Sequence, residues 1–185
     1  MVEPRWNIEV DQIPEDGLDA RLSALPSFFD FNQKDVTWRE LVEWLGTIQR
    51  FGEDVYCRGT ARGIIVLPCS RCLKEVTRSL EVETAFSFFA ELPPGEEGSD
   101  EVEVSSDELD IYLFEDGGVD LRKPVRDSLI MAVPLQSFCY KDCKGLCERC
   151  GADLNDGPCG CLPETADPRW EALARLRRPS STEKG

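Results

Sequence analysis

The chain has 185 residues, 41% of them hydrophobic, and a formal net charge of −15. This is enough apolar material for one ordinary domain with a small appended module, so wholesale disorder is excluded. The charge is localised, because residues 81–120 hold fourteen acidic residues and no Lys or Arg. The rest of the chain is nearly neutral, and the overall acidity therefore argues neither for nor against contact with RNA through another surface.

The composition also limits where the protein is expected to reside and which catalytic residues it can use. No apolar run approaches the roughly 18 residues of a membrane span, and residues 1–6 do not read as a signal peptide, so we expect a soluble cytoplasmic protein with no membrane partner. The sequence contains no histidine, which excludes Ser–His and Cys–His nucleophile pairs. It contains nine cysteines, and in a compartment that keeps thiols reduced an odd number of clustered cysteines favours metal binding over disulfides.

The first part of the chain predicts extended or irregular structure up to Pro26, followed by a helix from Thr37 to about Gly52. Thr37 is a typical N-cap residue and Glu40, three positions later, completes a capping box. Gly52 suits the end of a helix. Apolar residues recur at helical spacing on one face of this segment: Leu41, Leu45 and Ile48.

From Val55 onward the apolar spacing changes to two, which predicts strands. Two antiparallel strands are expected, the first from Val55 to Leu67 and the second over 76–88, with the segment Pro68–Cys72 at their connection. A third strand is predicted over 111–114. Residues 92–108, rich in acid, Gly and Pro, are expected to form a solvated loop, the alternative being a docking site for a basic partner.

A second helix is predicted from Asp120 to about Val133, where Pro134 stops it; Pro124 is tolerated in its first turn because those N–H groups lack internal partners. A short helix is expected to begin at Asp167. The predicted fold class is α+β: a small antiparallel sheet with packed helices and a C-terminal cysteine-rich zinc-binding module. The expected domains are an α+β domain over 1–138, the zinc module with its short helix over 139–178, and a disordered tail over 179–185.

Eight of the nine cysteines fall in closely spaced pairs. A Cys-x-x-Cys turn lets both sulfurs reach one ion about 2.3 Å away, and four thiolates in a tetrahedron fit zinc. Eight ligands predict two zinc ions, although one mixed site with some free thiols stays open, and a redox Cys-x-x-Cys is less favoured because no βαβ pattern surrounds either pair. Cys57 is expected to be a buried thiol in a strand. The most economical partition places Cys69, Cys72, Cys139 and Cys143 in one site and Cys147, Cys150, Cys159 and Cys161 in the other.

Several ordered motifs together resemble a known family. They are Pro68–Leu73, the helix opened by Asp120–Leu121 and closed by Val133–Leu135, the string from Asp142 to Asn155, the Cys159–Cys161 pair and Asp167–Leu173. This pattern is similar to the YceD family of bacterial and plastid proteins. The resemblance implies a role in accumulation of large-subunit (23S) ribosomal RNA, hence in ribosome biogenesis, with no catalytic residues.

The expected function is therefore a non-enzymatic assembly factor that binds ribosomal RNA, a pre-ribosomal particle or a ribosomal protein, with no small-molecule substrate. One alternative is an acidic adaptor that holds a basic ribosomal protein. A metal-dependent nuclease would need acids in a preorganised site, and a transcription-linked zinc ribbon would need basic residues concentrated on one face. The candidate RNA or partner contacts are Arg58, Arg62, Arg71 and Lys74.

Overall fold

The computed structural model describes residues 6–90, 110–114 and 117–161. Within these ranges the chain forms seven strands and one α-helix, together with short 3-10 turns at Val10–Gln12 and Pro26–Phe28. The elements are β1 Asn7–Glu9, β2 Leu18–Ala24, β3 Thr37–Phe51, β4 Asp54–Pro68, β5 Glu75–Phe89, β6 Asp110–Leu113, β7 Gly118–Asp120 and α1 Arg122–Met131.

The strands form a five-stranded sheet in the order β2-β3-β4-β5-β6, and a small two-stranded sheet of β1 and β7. The two strands predicted from Val55 and over 76–88 are confirmed as β4 and β5, which pair antiparallel along their whole length. The strand predicted over 111–114 corresponds to β6. It pairs parallel to β5, so the sheet has one parallel edge strand and is not purely antiparallel as expected.

The helix predicted from Thr37 is wrong, because this segment is the long strand β3. β3 forms a hairpin with β4 through Gly52, whose φ of +66° suits the tight turn. The spacing of Leu41, Leu45 and Ile48 mixes the two faces of the strand: Leu41 is 49% exposed whereas Ile48 is fully buried. A bulge between Arg39 and Glu43 shifts the alternation, which hid the period of two.

The expectation of several packed helices is also not met, since the part of the chain that the structure describes contains α1 alone. This helix was predicted from Asp120 to about Val133 and is observed from Arg122 to Met131. It packs against β4 and β5 through the buried side chains of Val125 and Leu129. At the start of the helix, the Arg122 N–H donates a hydrogen bond to Asp120 Oδ1 at 2.9 Å, and a carboxylate at this end interacts favourably with the helix dipole.

One face of the sheet carries the core. The inward residues of β4 alternate as predicted: Val55, Cys57, Ala61, Ile65 and Leu67 are all buried. The largest of the fully buried side chains is Trp44, whose indole N–H donates to Thr84 Oγ1 at 2.9 Å. Gly59 on the neighbouring strand makes room for this ring, since a Cβ there would stand 2.8 Å from Trp44 Cζ2.

The chain divides into two compact units, one ending at Cys143 and one starting at Lys144, called here the sheet unit and the terminal unit. The domain limits expected from the sequence stay a prediction. The acidic loop over 92–108, the short helix at Asp167 and the tail over 179–185 lie outside the described residues. None of the helices in the described ranges has the length and apolar character that crossing a membrane requires.

Candidate metal centres

Four cysteines of the sheet unit bring their sulfurs together in what we call the hairpin cluster: Cys69, Cys72, Cys139 and Cys143. All four sulfur atoms lie within 4.8 Å of one another. The Cys69 and Cys143 sulfurs are 3.9 Å apart, and those of Cys72 and Cys139 are 3.6 Å apart. A tetrahedral ion with metal–sulfur bonds of about 2.3 Å sets sulfurs about 3.8 Å apart, whereas a disulfide requires about 2.05 Å. The spacing therefore fits one ion held by four separate thiols.

The connection between β4 and β5 positions the first two of these sulfurs. The Cys69 N–H donates to the Lys74 carbonyl at 2.8 Å, and the Leu73 N–H donates to the Cys69 carbonyl at 3.0 Å. Leu73 adopts a φ of +62°, which closes the turn. The Arg71 N–H points at Cys69 Sγ at 3.5 Å. A backbone N–H directed at a sulfur stabilises its thiolate, the form that binds metal.

The segment after α1 is fastened to this connection by hydrogen bonds, and it carries the other two cysteines. Ser70 N–H donates to the Ser137 carbonyl at 2.6 Å, and Ser137 N–H donates back to Ser70 Oγ at 3.0 Å. Arg78 on β5 donates to the Phe138 carbonyl at 2.7 Å. These bonds hold the two residues that precede Cys139 against the hairpin, so the four sulfurs converge from stretches about seventy residues apart.

Arg71, which lies between Cys69 and Cys72, also contacts the segment that follows α1. Its guanidinium donates to the carbonyls of Cys143 at 2.8 Å and Lys141 at 3.3 Å, and lies 4.6 Å from the centroid of the Phe138 ring. The planar guanidinium suits this combination of two carbonyls and a ring, which a lysine ammonium would not reproduce. Four thiolates around a divalent ion leave two negative charges, and Arg71 places a fixed positive charge beside them.

The protonation of the hairpin cluster shows why a cation would stabilise it. Backbone N–H donation, from Cys72 first and then from Arg71 and Cys139, outweighs burial and lowers the pKa of Cys69 to about 6. Burial, together with the surrounding cysteine sulfurs, raises the pKa of Cys139 to about 12. One thiolate thus forms readily near neutral pH while its neighbour resists ionisation, first because it is buried and then because negative sulfurs this close repel one another. A bound divalent cation would remove that repulsion.

Four further cysteines form the terminal cluster, whose sulfurs also lie within 4.8 Å of one another: Cys147, Cys150, Cys159 and Cys161. Backbone N–H donation, first from Cys150, lowers the pKa of Cys147 to about 6. The neighbouring sulfurs, first that of Cys150, raise the pKa of Cys161 to about 12. The same division between one ionised and one resistant thiol therefore recurs here.

The terminal cluster is built by two tight turns within a short stretch of chain. Gly151, with a φ of +71°, donates its N–H to the Cys147 carbonyl at 2.9 Å, and Cys147 N–H donates to the Ala152 carbonyl at 2.8 Å. The amide of Asn155 accepts from the Lys144 N–H at 2.7 Å and donates to Asp153 at 2.6 Å. Leu146 and Asp153 form a β-bridge that closes the loop between these contacts.

The two groups of sulfurs are the two predicted from spacing alone, with the same four cysteines in each. That these cysteines bind metal stays a prediction. Cys57 lies outside both groups, is 1% exposed and belongs to the hydrophobic core. Burial raises the pKa of its thiol to about 12, as expected for a structural cysteine.

The four cationic residues predicted as RNA or partner contacts do not share one surface. Arg58 and Arg62 are exposed on the outer face of β4, where Arg62 forms an ion pair with Glu81 at 2.8 Å. Arg71 and Lys74 lie beyond the end of β4. Arg58 lies ten positions before Pro68 along the strand, which is about 30 Å at about 3.3 Å per residue. Their role as contacts stays a prediction. The contacts of Arg71 with two carbonyls and the Phe138 ring were not predicted.

Sequence reasoning also missed the side chains that support the hairpin cluster. Ser70 lies between the two cysteines of a known pair and could have been suspected. Ser137 and Arg78 carry no distinguishing signal in the sequence, because their importance depends on contacts between residues 60 and 67 positions apart.

The fold and the two clusters define a class: a β-sheet protein with one described helix and two groups of four cysteines that could each hold a metal ion. The sequence profile of the family described as "Large ribosomal RNA subunit accumulation protein YceD" matches residues 57–177. The chain belongs to the YceD family. The matched range begins in β4 and contains all eight clustered cysteines.

Relatives from bacteria and plants agree with this assignment. An uncharacterized protein of Mycobacterium tuberculosis is 31% identical over 72% of this chain and 61% of its own length. The chloroplastic "Large ribosomal RNA subunit accumulation protein YCED homolog 1" of Arabidopsis thaliana is 27% identical over 69% of this chain and 46% of its own length. The YlbN protein of Bacillus subtilis is 28% identical over 63% of each chain. The match thus spans about half to three fifths of the length of these relatives. No solved structure matches the chain significantly.

Proposed function

We propose that the chain is a non-enzymatic, zinc-binding factor of ribosome biogenesis, needed for accumulation of large-subunit (23S) ribosomal RNA. The observation that carries this proposal is the family match over residues 57–177, which includes both cysteine clusters. The proposed partner is ribosomal RNA or a pre-ribosomal particle, and the proposed compartment is the cytoplasm.

The proposed cofactor is two zinc ions, one in each cluster. Sulfur spacings of 3.6 and 3.9 Å in the hairpin cluster support a single tetrahedral ion. In an iron–sulfur cluster the four cysteines bind two or four different irons, which would spread the four sulfurs further apart than a single ion does. When bound, zinc would supply a fixed tetrahedral link without redox chemistry. The cysteines would provide all four ligands of each ion, leaving no open position for a substrate.

The proposed role is structural and not catalytic. The chain has no histidine, and the thiols that could act as nucleophiles are grouped in fours with backbone N–H groups directed at them. In the proposed state these sulfurs are metal ligands and not reactive thiolates. Purified protein that cuts a ribosomal RNA precursor in a metal-dependent manner would contradict this part of the proposal.

Depletion of the protein tests the proposed function. We expect large-subunit ribosomal RNA to fall relative to small-subunit ribosomal RNA, and wild-type protein to restore the ratio. A Cys69→Ser variant should fail to restore it, whereas Cys57→Ser, which changes a cysteine outside both clusters, should succeed. An unchanged ratio after depletion would overturn the proposed function.

A second candidate function is an acidic adaptor for a basic ribosomal protein. The observation in its favour is the segment 81–120, with fourteen acidic residues and no cationic residue. The two candidates differ in what survives nuclease treatment of a purified complex. Co-purification of a ribosomal protein after complete RNA digestion favours the adaptor, whereas its loss favours direct contact with RNA.

A further inference from the structure

A groove in the sheet unit places cationic side chains beside an exposed aromatic ring. It has a volume of about 570 Å³ and lies between the Pro26–Phe28 turn, strand β6 and helix α1. This volume is within the range of ligand-binding clefts, about 300–1,000 Å³. The lining residues that matter here are Phe28, Tyr112, Arg122, Lys123 and Arg126.

Among the lining residues of the groove, three are cations and two are carboxylates. The carboxylate of Asp120 is paired with Arg122, whose Nε donates to both carboxylate oxygens at 2.8 and 2.9 Å. The Asp120 side chain is 14% exposed while that of Arg122 is 48% exposed, so the cation faces solvent and the anion does not. Arg126 pairs with Asp127 and is partly exposed.

Lys123 is exposed and forms no ion pair with any residue that the structure describes. Asp30 is the one exposed carboxylate among the lining residues. Three cations within five residues of sequence thus face one groove, immediately after the most acidic part of the chain.

The rings in the groove are held in place by the core. Phe28 is 42% exposed and packs edge-to-face on the buried Phe29 at 5.5 Å between ring centroids. The guanidinium of Arg122 lies 5.4 Å from the Phe28 ring centroid. Tyr112 rests against the buried Phe88 at 5.5 Å. An exposed ring fixed beside cations is the arrangement that stacks an unpaired base and binds its phosphate.

We infer that this groove binds single-stranded RNA, with Lys123 and Arg126 on the phosphates and a base stacked on Phe28. The inference rests on the proposed function and assigns it a site. An acidic peptide would use the cations but not the ring, and duplex RNA keeps its bases stacked inside the helix. The groove differs from the positions of Arg58, Arg62, Arg71 and Lys74, which the sequence favoured.

Binding of a labelled single-stranded oligoribonucleotide, measured by fluorescence anisotropy with the metal-loaded full chain, tests the groove. We expect Lys123→Glu with Arg126→Glu to weaken binding at least tenfold and to reduce the slope of log Kd against log salt by about 1.4, since each lost phosphate contact contributes about 0.7. Phe28→Ala should weaken binding about tenfold at every salt concentration, because stacking is not ionic.

The matched control is Arg21→Glu with Arg39→Glu, which makes the same change of net charge on strands β2 and β3 away from the groove. This variant should stay within about threefold of wild type, and circular dichroism should show all variants folded. Equal losses in both double variants would overturn the inference, as would polyglutamate displacing the RNA at equal concentration. Loss confined to Arg58→Glu with Arg62→Glu would also overturn it. The proposed function is judged separately by the depletion experiment, whose outcome does not depend on where RNA binds.

Discussion

The hairpin cluster and the terminal cluster contain the same four ligand atoms but are built in opposite ways. The hairpin cluster joins residues 69 and 143, and three of its four cysteines are buried. The terminal cluster is closed within fifteen residues, and its Cys150 and Cys161 are exposed. The first therefore lies among long-range contacts of the sheet unit, whereas the second organises a local loop.

The two clusters close loops of different length, so they restrict the entropy of the unfolded chain to different extents. By the relation used for disulfides, a crosslink closing about 75 residues restricts the unfolded chain by about 4.5 kcal/mol, against about 3 kcal/mol for 15 residues. The hairpin cluster also has a folded sheet around it, so its ion would be coupled to the stability of the whole unit. The ion of the terminal cluster would be coupled mainly to its own turns.

The largest effect is expected from Cys69→Ser. The variant should lose the ion of the hairpin cluster and more than about 4 kcal/mol of unfolding free energy, because three thiols are left around an incomplete site in the interior. Urea unfolding followed by tryptophan fluorescence measures the stability, and elemental analysis measures the remaining zinc. Cys57→Ser makes the same chemical change in the core of the same unit and should cost about 1–3 kcal/mol without loss of metal. Equal destabilisation by the two substitutions would contradict the claim that the hairpin cluster stabilises the sheet unit by holding an ion.

Cys150→Ser should give a smaller and local effect. We expect zinc content to fall from two ions to one. The free energy of unfolding of the sheet unit should change by less than about 1 kcal/mol, because Cys150 is exposed and its cluster lies wholly in the terminal unit. Far-UV circular dichroism and the same fluorescence titration provide the readout. If the sheet unit unfolds in this variant, the two clusters are not energetically separate as the comparison requires.

Arg71→Lys should weaken zinc binding at the hairpin cluster about tenfold and leave the terminal cluster unaffected. The substitution keeps the positive charge but loses the guanidinium plane over the Phe138 ring and the Nη1 that donates to the carbonyls of Lys141 and Cys143. Residues that orient metal ligands commonly contribute 10- to 100-fold to affinity. Competition with a chromophoric chelator resolves the two ions. Arg78→Lys, which changes the donor of a single hydrogen bond to the Phe138 carbonyl, serves as a comparison and should cost less.

The smallest effect of metal removal is expected on the reactivity of the Cys57 thiol towards alkylation. This thiol is 1% exposed and its pKa is raised to about 12 by burial, so it stays protonated and inaccessible at pH 8. After mild chelation in native buffer, iodoacetamide followed by mass spectrometry should label the terminal cluster first, at the exposed Cys150 and at Cys147, whose pKa is lowered to about 6, and should leave Cys57 unmodified. Early labelling of Cys57 would mean that the sheet opens when metal is removed from the exposed cluster alone.

The sequence was informative where chemistry or strict alternation leaves a signature. The cysteine groups followed from the close spacing of eight cysteines in four pairs. Most of β4 and β5 followed from a period of two over 55–67 and 76–88. Strand β3 was misassigned because its bulge places Glu40 at a φ of +57° and interrupts the alternation, while Thr37 and Glu40 by coincidence match a capping box.

Other features depend on tertiary contacts that no local pattern encodes. The parallel pairing of β6 requires knowing which edge of the sheet is open. The bracing role of Arg71 was hidden because a cation between two cysteines looks like a surface charge until Phe138 and the carbonyls beyond it are placed. The cationic groove escaped notice because Phe28, Tyr112 and Lys123 are nearly a hundred residues apart in sequence at the extremes.

The measurement that tests the central claim most directly is the metal content of the purified, folded chain by native mass spectrometry combined with elemental analysis. We expect two zinc ions per chain, with nine free thiols counted after denaturation in chelator. A folded chain that carries no metal, or whose clustered cysteines are joined as disulfides, would contradict the claim that two tetrahedral thiolate centres shape this protein.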